Sequence, residues 1–105
     1  MKIAYFSEFL GTFFFMFVIL HATRKNADFP QLAPILIAVG LLAAITISSK
    51  ASSGHLNPAV STAFAFVGEL QFVDLFPYIG SQILGAVAAK YMFDFYNTGR
   101  MGVSF

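Results

Sequence analysis

The 105-residue sequence has no cysteine, no tryptophan, two histidines, and few charges: six basic and five acidic residues. Without cysteine there is no disulfide framework and no thiolate metal site, and the two histidines do not have metal-ligand spacing. The net charge of +1 is too small to indicate a nucleic-acid partner. A small soluble domain needs a large polar surface, because its surface is large relative to its volume. Six basic and five acidic residues are too few to provide such a surface, so apolar surface must face lipid or other chains. The sequence also predicts no cofactor and no nucleic-acid partner.

Long apolar stretches occupy most of the chain, which is 58% hydrophobic and contains fourteen phenylalanines. Three of them have about the 20 residues that a helix needs to cross a ~30 Å hydrocarbon core. They cover residues 3–21, 32–49 and 73–96. Glu8 interrupts the first stretch too early for a cleaved signal peptide, so we interpret it as a retained helix. The sequence predicts an all-α, multi-pass integral membrane protein with one domain over residues 1–105.

The segment between the second and third stretches has a different character. Residues 50–57 are rich in Ser and Gly and lack a helical period, and residues 58–67 are apolar but only ten in number. A helix of that length covers roughly 15 Å, about half of the hydrocarbon core. Asn57 is a favoured N-cap and Pro58 suits the first helical position. We therefore predict a re-entrant loop followed by a half-helix that enters the membrane without crossing it.

Four tyrosines lie towards the ends of the predicted helices. They are Tyr5, Tyr78, Tyr91 and Tyr96. Tyrosine is enriched where a membrane helix meets the headgroup region, because its ring is apolar and its hydroxyl is polar. The sequence predicts that all four are interfacial anchors.

Three motifs follow one another along the chain, one on each side of the predicted loop and one at the loop itself. They read Ser7-Glu8-Phe9-Leu10-Gly11-Thr12, Ser53-Gly54-His55-Leu56-Asn57-Pro58-Ala59-Val60 and Tyr78-Ile79-Gly80-Ser81-Gln82-Ile83-Leu84-Gly85-Ala86. Together they resemble the first repeat of the aquaporin (major intrinsic protein) family, over nearly the whole chain. The resemblance implies a channel for water or small neutral solutes rather than an enzyme. It also implies a pore built from two inverted repeats, each with three spans and one half-helix, and pores that assemble further into tetramers.

Asn57, Pro58 and Ala59 are the predicted pore motif. A half-helix that begins near mid-bilayer presents free N–H groups and the positive end of its dipole there. The Asn57 side chain adds further donors, from which a passing water or hydroxyl oxygen can accept hydrogen bonds. A cation is repelled by the positive end of the helix dipole. The alternative interpretation of Asn57 is an ordinary N-cap without a transport role.

Three polar residues are predicted to hold the loop. Glu8 is a costly carboxylate inside a membrane helix, and we expect it to accept hydrogen bonds from loop N–H groups. The resemblance implies the same role, and a proton-relay carboxylate is the alternative. Gln82 is expected to bind the loop backbone in a similar way. His55 is expected to hold the loop by hydrogen bonding, and a pH gate is its alternative role.

Small residues recur on the predicted spans and favour close helix packing. Those assigned to packing are Gly11, Gly40, Ser81, Gly85 and Ala89.

Selectivity is where the sequence departs from the family. Family pores usually carry an Arg after the second Asn-Pro-Ala motif, whereas Val60 follows the motif here. The positions that the resemblance assigns to the filter fall near Ile37 and Ile45, with Gly54 and Val60 from the loop and half-helix. All four offer few donors, so we expect a wide apolar constriction that tolerates solutes of the size of glycerol.

A lone half-helix would leave donors unsatisfied in lipid, so we expect a partner. In the family orientation Lys2 and Lys50 are cytoplasmic, and Arg24, Lys25 and Arg100 lie outside. That distribution gives the positive-inside rule almost no direction. We therefore expect a chain that inserts both ways and pairs antiparallel with a second copy. The alternatives are pairing with a separately encoded second-repeat half-channel and a non-conducting membrane scaffold or degenerate fragment.

Overall fold

A computed structural model describes residues 2–98, so Arg100 lies outside the described residues. The described part of the chain folds into four helices without strands. They are α1 (Ile3–Ala22), α2 (Ala33–Ser48), α3 (Pro58–Phe66) and α4 (Phe72–Thr98), with a 3₁₀ turn at Pro30–Leu32 before α2. Three segments are long and apolar enough to cross a membrane, namely Ile3–Ala22, Pro30–Ser48 and Phe72–Asn97. The predicted all-α fold with three spans is confirmed.

Helix α1 lies at the centre of the bundle, where it packs against both α2 and α4, and α3 packs on α4. Glycine makes the closest of these contacts possible. A Cβ atom at Gly85 would lie 2.5 Å from the Phe9 carbonyl oxygen and 3.1 Å from the Phe13 nitrogen, so the α1 and α4 backbones touch. One turn further along α4, Ala89 is fully buried. These small residues bring the two helices together at the level of Glu8 and Gln82.

The contact of α1 with α2 also depends on small residues. A Cβ atom at Gly40 would lie 2.8 Å from Val18 Cγ1, and one at Gly11 would overlap the Ser48 side chain and lie 2.6 Å from Leu56 Cδ2. Gly11 therefore brings α1 against both α2 and the loop. Ser81 is half-buried on α4.

The pattern of burial is the inverse of that in a soluble protein. The largest side chains that are fully buried are polar: Gln82, Glu8, Asp94 and Ser61. Large apolar side chains are instead exposed along the outer faces of the long helices, for example Phe14 on α1, Leu42 on α2 and Phe76 on α4. An apolar exterior around a hydrogen-bonded polar interior is the arrangement that a lipid environment favours.

Two of the four tyrosines point inwards. Tyr78 is only 4% exposed, so its prediction as an interfacial anchor was wrong. Its ring packs edge-on against Tyr5 at 6.1 Å between centroids, and the Tyr5 hydroxyl donates to Asp74 Oδ1 at 2.6 Å. Lys2 Nζ reaches the same carboxylate at 2.7 Å. The half-buried Tyr5 thus connects the start of α1 with Asp74 near the start of α4.

Candidate functional site

The N-terminus of α3 begins with a side-chain cap. Asn57 has extended backbone angles, and its Oδ1 accepts a hydrogen bond from the Ala59 N–H at 2.8 Å. Pro58 at the first helical position has no N–H to satisfy. Asn57 and Ala59 are exposed, and no described residue binds the Asn57 side-chain NH₂. The helix therefore begins with free donors at its positive end.

The loop reaches this point through two residues with positive φ. Gly54 has φ +67°, which glycine adopts readily, and Leu56 has φ +57°, which costs a side-chain-bearing residue about 1–2 kcal/mol. Leu56 is held from both directions. Its side chain is buried at Gly11, and its N–H donates to Glu8 Oε1 at 2.8 Å. Helix packing and a buried carboxylate together stabilise a strained turn immediately before Asn57.

Glu8 is the centre of the hydrogen-bond network that holds the loop. It is completely buried and accepts four hydrogen bonds. Oε1 accepts from Leu56 N (2.8 Å) and Gln82 Nε2 (2.9 Å), and Oε2 accepts from Ser52 Oγ (2.7 Å) and His55 N (3.1 Å). Four donors match the acceptor sites of an ionised carboxylate. One side chain on α1 thus connects the loop with α4.

Gln82 extends the hydrogen-bond network to the first turn of α3. Its Nε2 also donates to Ser61 Oγ at 2.9 Å, and Ser61 Oγ lies 2.8 Å from His55 Nδ1. Ser61 and Gln82 are 0% and 1% exposed. Ser61 was not predicted from the sequence, although it follows Asn57 by four residues and so lies on the same face of α3.

The ring of His55 lies between two aromatic side chains. It stacks on Phe64 with centroids 4.8 Å apart and tilts against Tyr78 at 5.5 Å. The Tyr78 hydroxyl also accepts from the Ser53 N–H at 3.2 Å, so Tyr78 is a second loop-binding residue that the sequence analysis missed. Burial lowers the pKa of His55, and the charge of Glu8 opposes this effect. Burial therefore favours the neutral imidazole.

The four predicted filter positions are not all close together within one chain. Gly54 lies against Ile45, with 3.5 Å between a Cβ placed on the glycine and Ile45 Cγ2. Gly54 and Val60 line one cavity of about 350 Å³, together with Ser53, His55, Phe64 and Glu69. Ile37 precedes Ile45 on α2 by eight residues, which is roughly 12 Å along the helix. It therefore lies at a different level from the other three.

Comparison with known proteins identifies the family. The family model described as Major intrinsic protein matches residues 1–104. The chain belongs to the major intrinsic protein family. This family is made up of channels and not of enzymes, and with the three spans it makes the chain a multi-pass integral membrane protein.

Similar proteins come from bacteria, plants and animals. Over 104 residues the chain is 36% identical to Aquaporin Z of Brucella melitensis, covering 93% of this chain and 46% of that protein. It is 32% identical over 107 residues to the probable aquaporin TIP5-1 of Oryza sativa subsp. japonica, covering 92% and 40%. It is 40% identical over 88 residues to the lens fiber major intrinsic protein of Lithobates pipiens, covering 81% and 34%. The chain spans less than half the length of these relatives.

Proposed function

We propose that this major intrinsic protein homologue is a channel subunit for passive movement of water and small neutral solutes. Two copies in opposite orientations form one pore, in which the N-termini of the two α3 helices meet. The observation that carries the proposal is the exposed N-terminus of α3, where Asn57 presents an unbound NH₂ group at the start of a short apolar helix.

The length of α3 sets the depth of this site. Nine helical residues cover roughly 14 Å, or about half of the hydrocarbon core. The donors at Asn57 then lie near the bilayer centre, where lipid offers no acceptor. A water or hydroxyl oxygen accepts from them, and a cation meets the positive end of the helix dipole. This combination favours neutral solutes and opposes ions.

A second copy is the partner that this geometry favours. Asn57 and Pro58 border an apolar cavity of about 200 Å³, which Phe15, Met16 and Ile83 also line. The same motif from an opposed copy would cover this face and place a second pair of donors beside the first. Antiparallel pairing requires both orientations, and the basic residues near the helix ends provide little bias.

The filter of such a pore would be apolar on both sides. In a symmetric pair Val60 replaces the filter Arg in each copy, and the cavity next to it is walled by Gly54 and Phe64. Ion exclusion then depends on the two helix dipoles and on Asn57. We expect glycerol to permeate together with water.

Orientation can be measured with single-cysteine variants, because the chain has no cysteine of its own. Asn26→Cys lies between α1 and α2, Ala51→Cys lies after α2, and both positions are exposed and uncharged. Intact cells are treated with a membrane-impermeant maleimide. For each variant we expect the amount of labelled protein to be about half of the amount that is labelled after the cells are permeabilised. Complete labelling of one variant and none of the other would show a single orientation and exclude the antiparallel homodimer. Pairing with a separate half-channel, or a non-conducting scaffold, would then be favoured.

A further inference from the structure

The hydrogen bonds around Ser61 determine where the protons of the network lie. Each of the two oxygens of Glu8 accepts two hydrogen bonds, and neither donates one. The Gln82 atom that faces Glu8 Oε1 must therefore be the NH₂ nitrogen, because a carbonyl oxygen there would oppose a carboxylate oxygen. In this orientation Gln82 Oε1 is a buried atom without a partner in the described part of the chain. The reverse orientation would set acceptor against acceptor.

The amide of Gln82 in turn sets the role of Ser61. One proton of Nε2 goes to Glu8 and the other goes to Ser61 Oγ. Ser61 Oγ therefore accepts from Gln82 and has one proton of its own to donate. Among the described residues, His55 Nδ1 is the acceptor within reach, at 2.8 Å. If His55 Nδ1 carried a proton instead, the hydroxyl proton of a completely buried serine would have no acceptor.

The imidazole then carries its proton on the other nitrogen. Nε2 is not among the buried atoms without a partner, and no described residue hydrogen-bonds to it. His55 lines the cavity of about 350 Å³ beside Val60 and Glu69. The Nε2–H group therefore has no partner among the described residues and belongs to a side chain that lines this cavity.

We propose that Ser61 is a positioning residue that fixes His55 as the Nε2–H tautomer, so that His55 offers a single N–H donor to the cavity between the loop and α3. The acceptor is a water or the hydroxyl oxygen of a neutral solute. That this cavity belongs to a permeation path rests on the proposed channel function, whereas the tautomer does not. In a channel, a passing oxygen would accept a hydrogen bond first from one of these sites, His55 or Asn57, and then from the other.

His21 provides an internal reference for this proposal. Its Nδ1 lies 3.1 Å from the Phe17 carbonyl oxygen, which can only accept a hydrogen bond. A neutral His21 therefore carries its proton on Nδ1. The chain has two histidines, and they are expected to be opposite tautomers.

Nitrogen-15 NMR of the histidine-labelled chain in lipid bilayers tests the proposal at mildly alkaline pH, because the two tautomers give distinct ring-nitrogen shifts. We expect one Nδ1–H and one Nε2–H histidine, and a His21→Gln variant should retain only the Nε2–H signals. An Nδ1–H form of His55 would overturn the proposal.

The role of Ser61 needs a matched pair of variants. Ser61→Ala should convert His55 into a mixture of tautomers and leave His21 unchanged, whereas Ser61→Thr keeps the hydroxyl and should keep the Nε2–H form. A single Nε2–H form in Ser61→Ala would show that Ser61 does not position the ring. If Ser61→Ala does not fold, an Nδ1–H His55 in Ser61→Thr would overturn the proposal and an Nε2–H His55 would support it. Because NMR requires no flux, a correct tautomer in a non-conducting chain would count against the channel function alone.

Discussion

Replacing Glu8 with glutamine is expected to destabilise the protein by about 3 kcal/mol or more and to abolish solute flux. Glutamine has the same shape as glutamate, but its NH₂ group would face two of the four donors that now point at the carboxylate. Leu56 and His55 donate through their backbone, so the loop can retain these bonds only by moving. With the NH₂ group at the Oε1 position the Leu56 N–H, in a residue already at positive φ, would lose its acceptor, and with the NH₂ group at the Oε2 position the His55 N–H would lose its acceptor.

The control for this variant is Glu69→Gln, which makes the same chemical change at an exposed position beyond α3. The thermal unfolding midpoint in detergent is measured for both variants, and flux in vesicles is measured for Glu8→Gln and the unsubstituted chain. We expect a large loss of stability and of flux for Glu8→Gln, and an almost unchanged unfolding midpoint for Glu69→Gln, which controls for stability only, because Glu69 lines the cavity beside Val60. Equal stability of the two variants would mean that the four hydrogen bonds at Glu8 do not hold the loop.

Gly85→Ala is the second substitution with a large expected effect. The added Cβ would lie 2.5 Å from the Phe9 carbonyl oxygen and 3.1 Å from the Phe13 nitrogen. Both are backbone atoms, so no side chain can rotate away and α1 must separate from α4. We expect a loss of about 2–3 kcal/mol, in the range of overpacked cores. Glu8 and Gln82 lie on these two helices, so the network of the loop should weaken as well.

The same helix supplies the matched control. A Cβ at Gly80 would have no atom within 4 Å, so Gly80→Ala adds the same methyl group without a clash. In a helix interior this change is expected to stabilise by up to about 1 kcal/mol. Opposite shifts of the unfolding midpoint are therefore predicted. A similar shift in both variants would mean that backbone contact between α1 and α4 is unimportant.

The sequence predicts the fold well because lipid leaves few alternatives. Apolar stretches of about 20 residues must be helices in a membrane, and Asn57-Pro58 marks the start of a helix that is too short to cross. Glu8 was recognisable as a candidate for the same reason, since a charge within a span needs partners.

Residues that depend on how helices are rotated against each other were harder to predict. Ser61 is one of several small polar residues near the loop, and only the contact of α3 with α4 places it beside Gln82. Tyr78 lies near a helix end and its sequence position indicated the interface, but the rotation of α4 turns it towards Ser53. The filter positions show the same limit. Spacing along α2 separates Ile37 from Ile45, and only the folded loop determines that Gly54 lies at the level of Ile45.

The central claim is that copies of this chain alone form a pore, and osmotic flux tests it most directly. The purified chain is reconstituted into vesicles. Stopped-flow light scattering follows their shrinkage under an osmotic gradient, which reports water flux, and their recovery of volume under a glycerol gradient, which reports glycerol flux. If two copies form the proposed pore, both water and glycerol are expected to cross much faster than in empty vesicles. Fast water flux without glycerol flux would contradict the apolar filter, and rates equal to those of empty vesicles would contradict the pore itself.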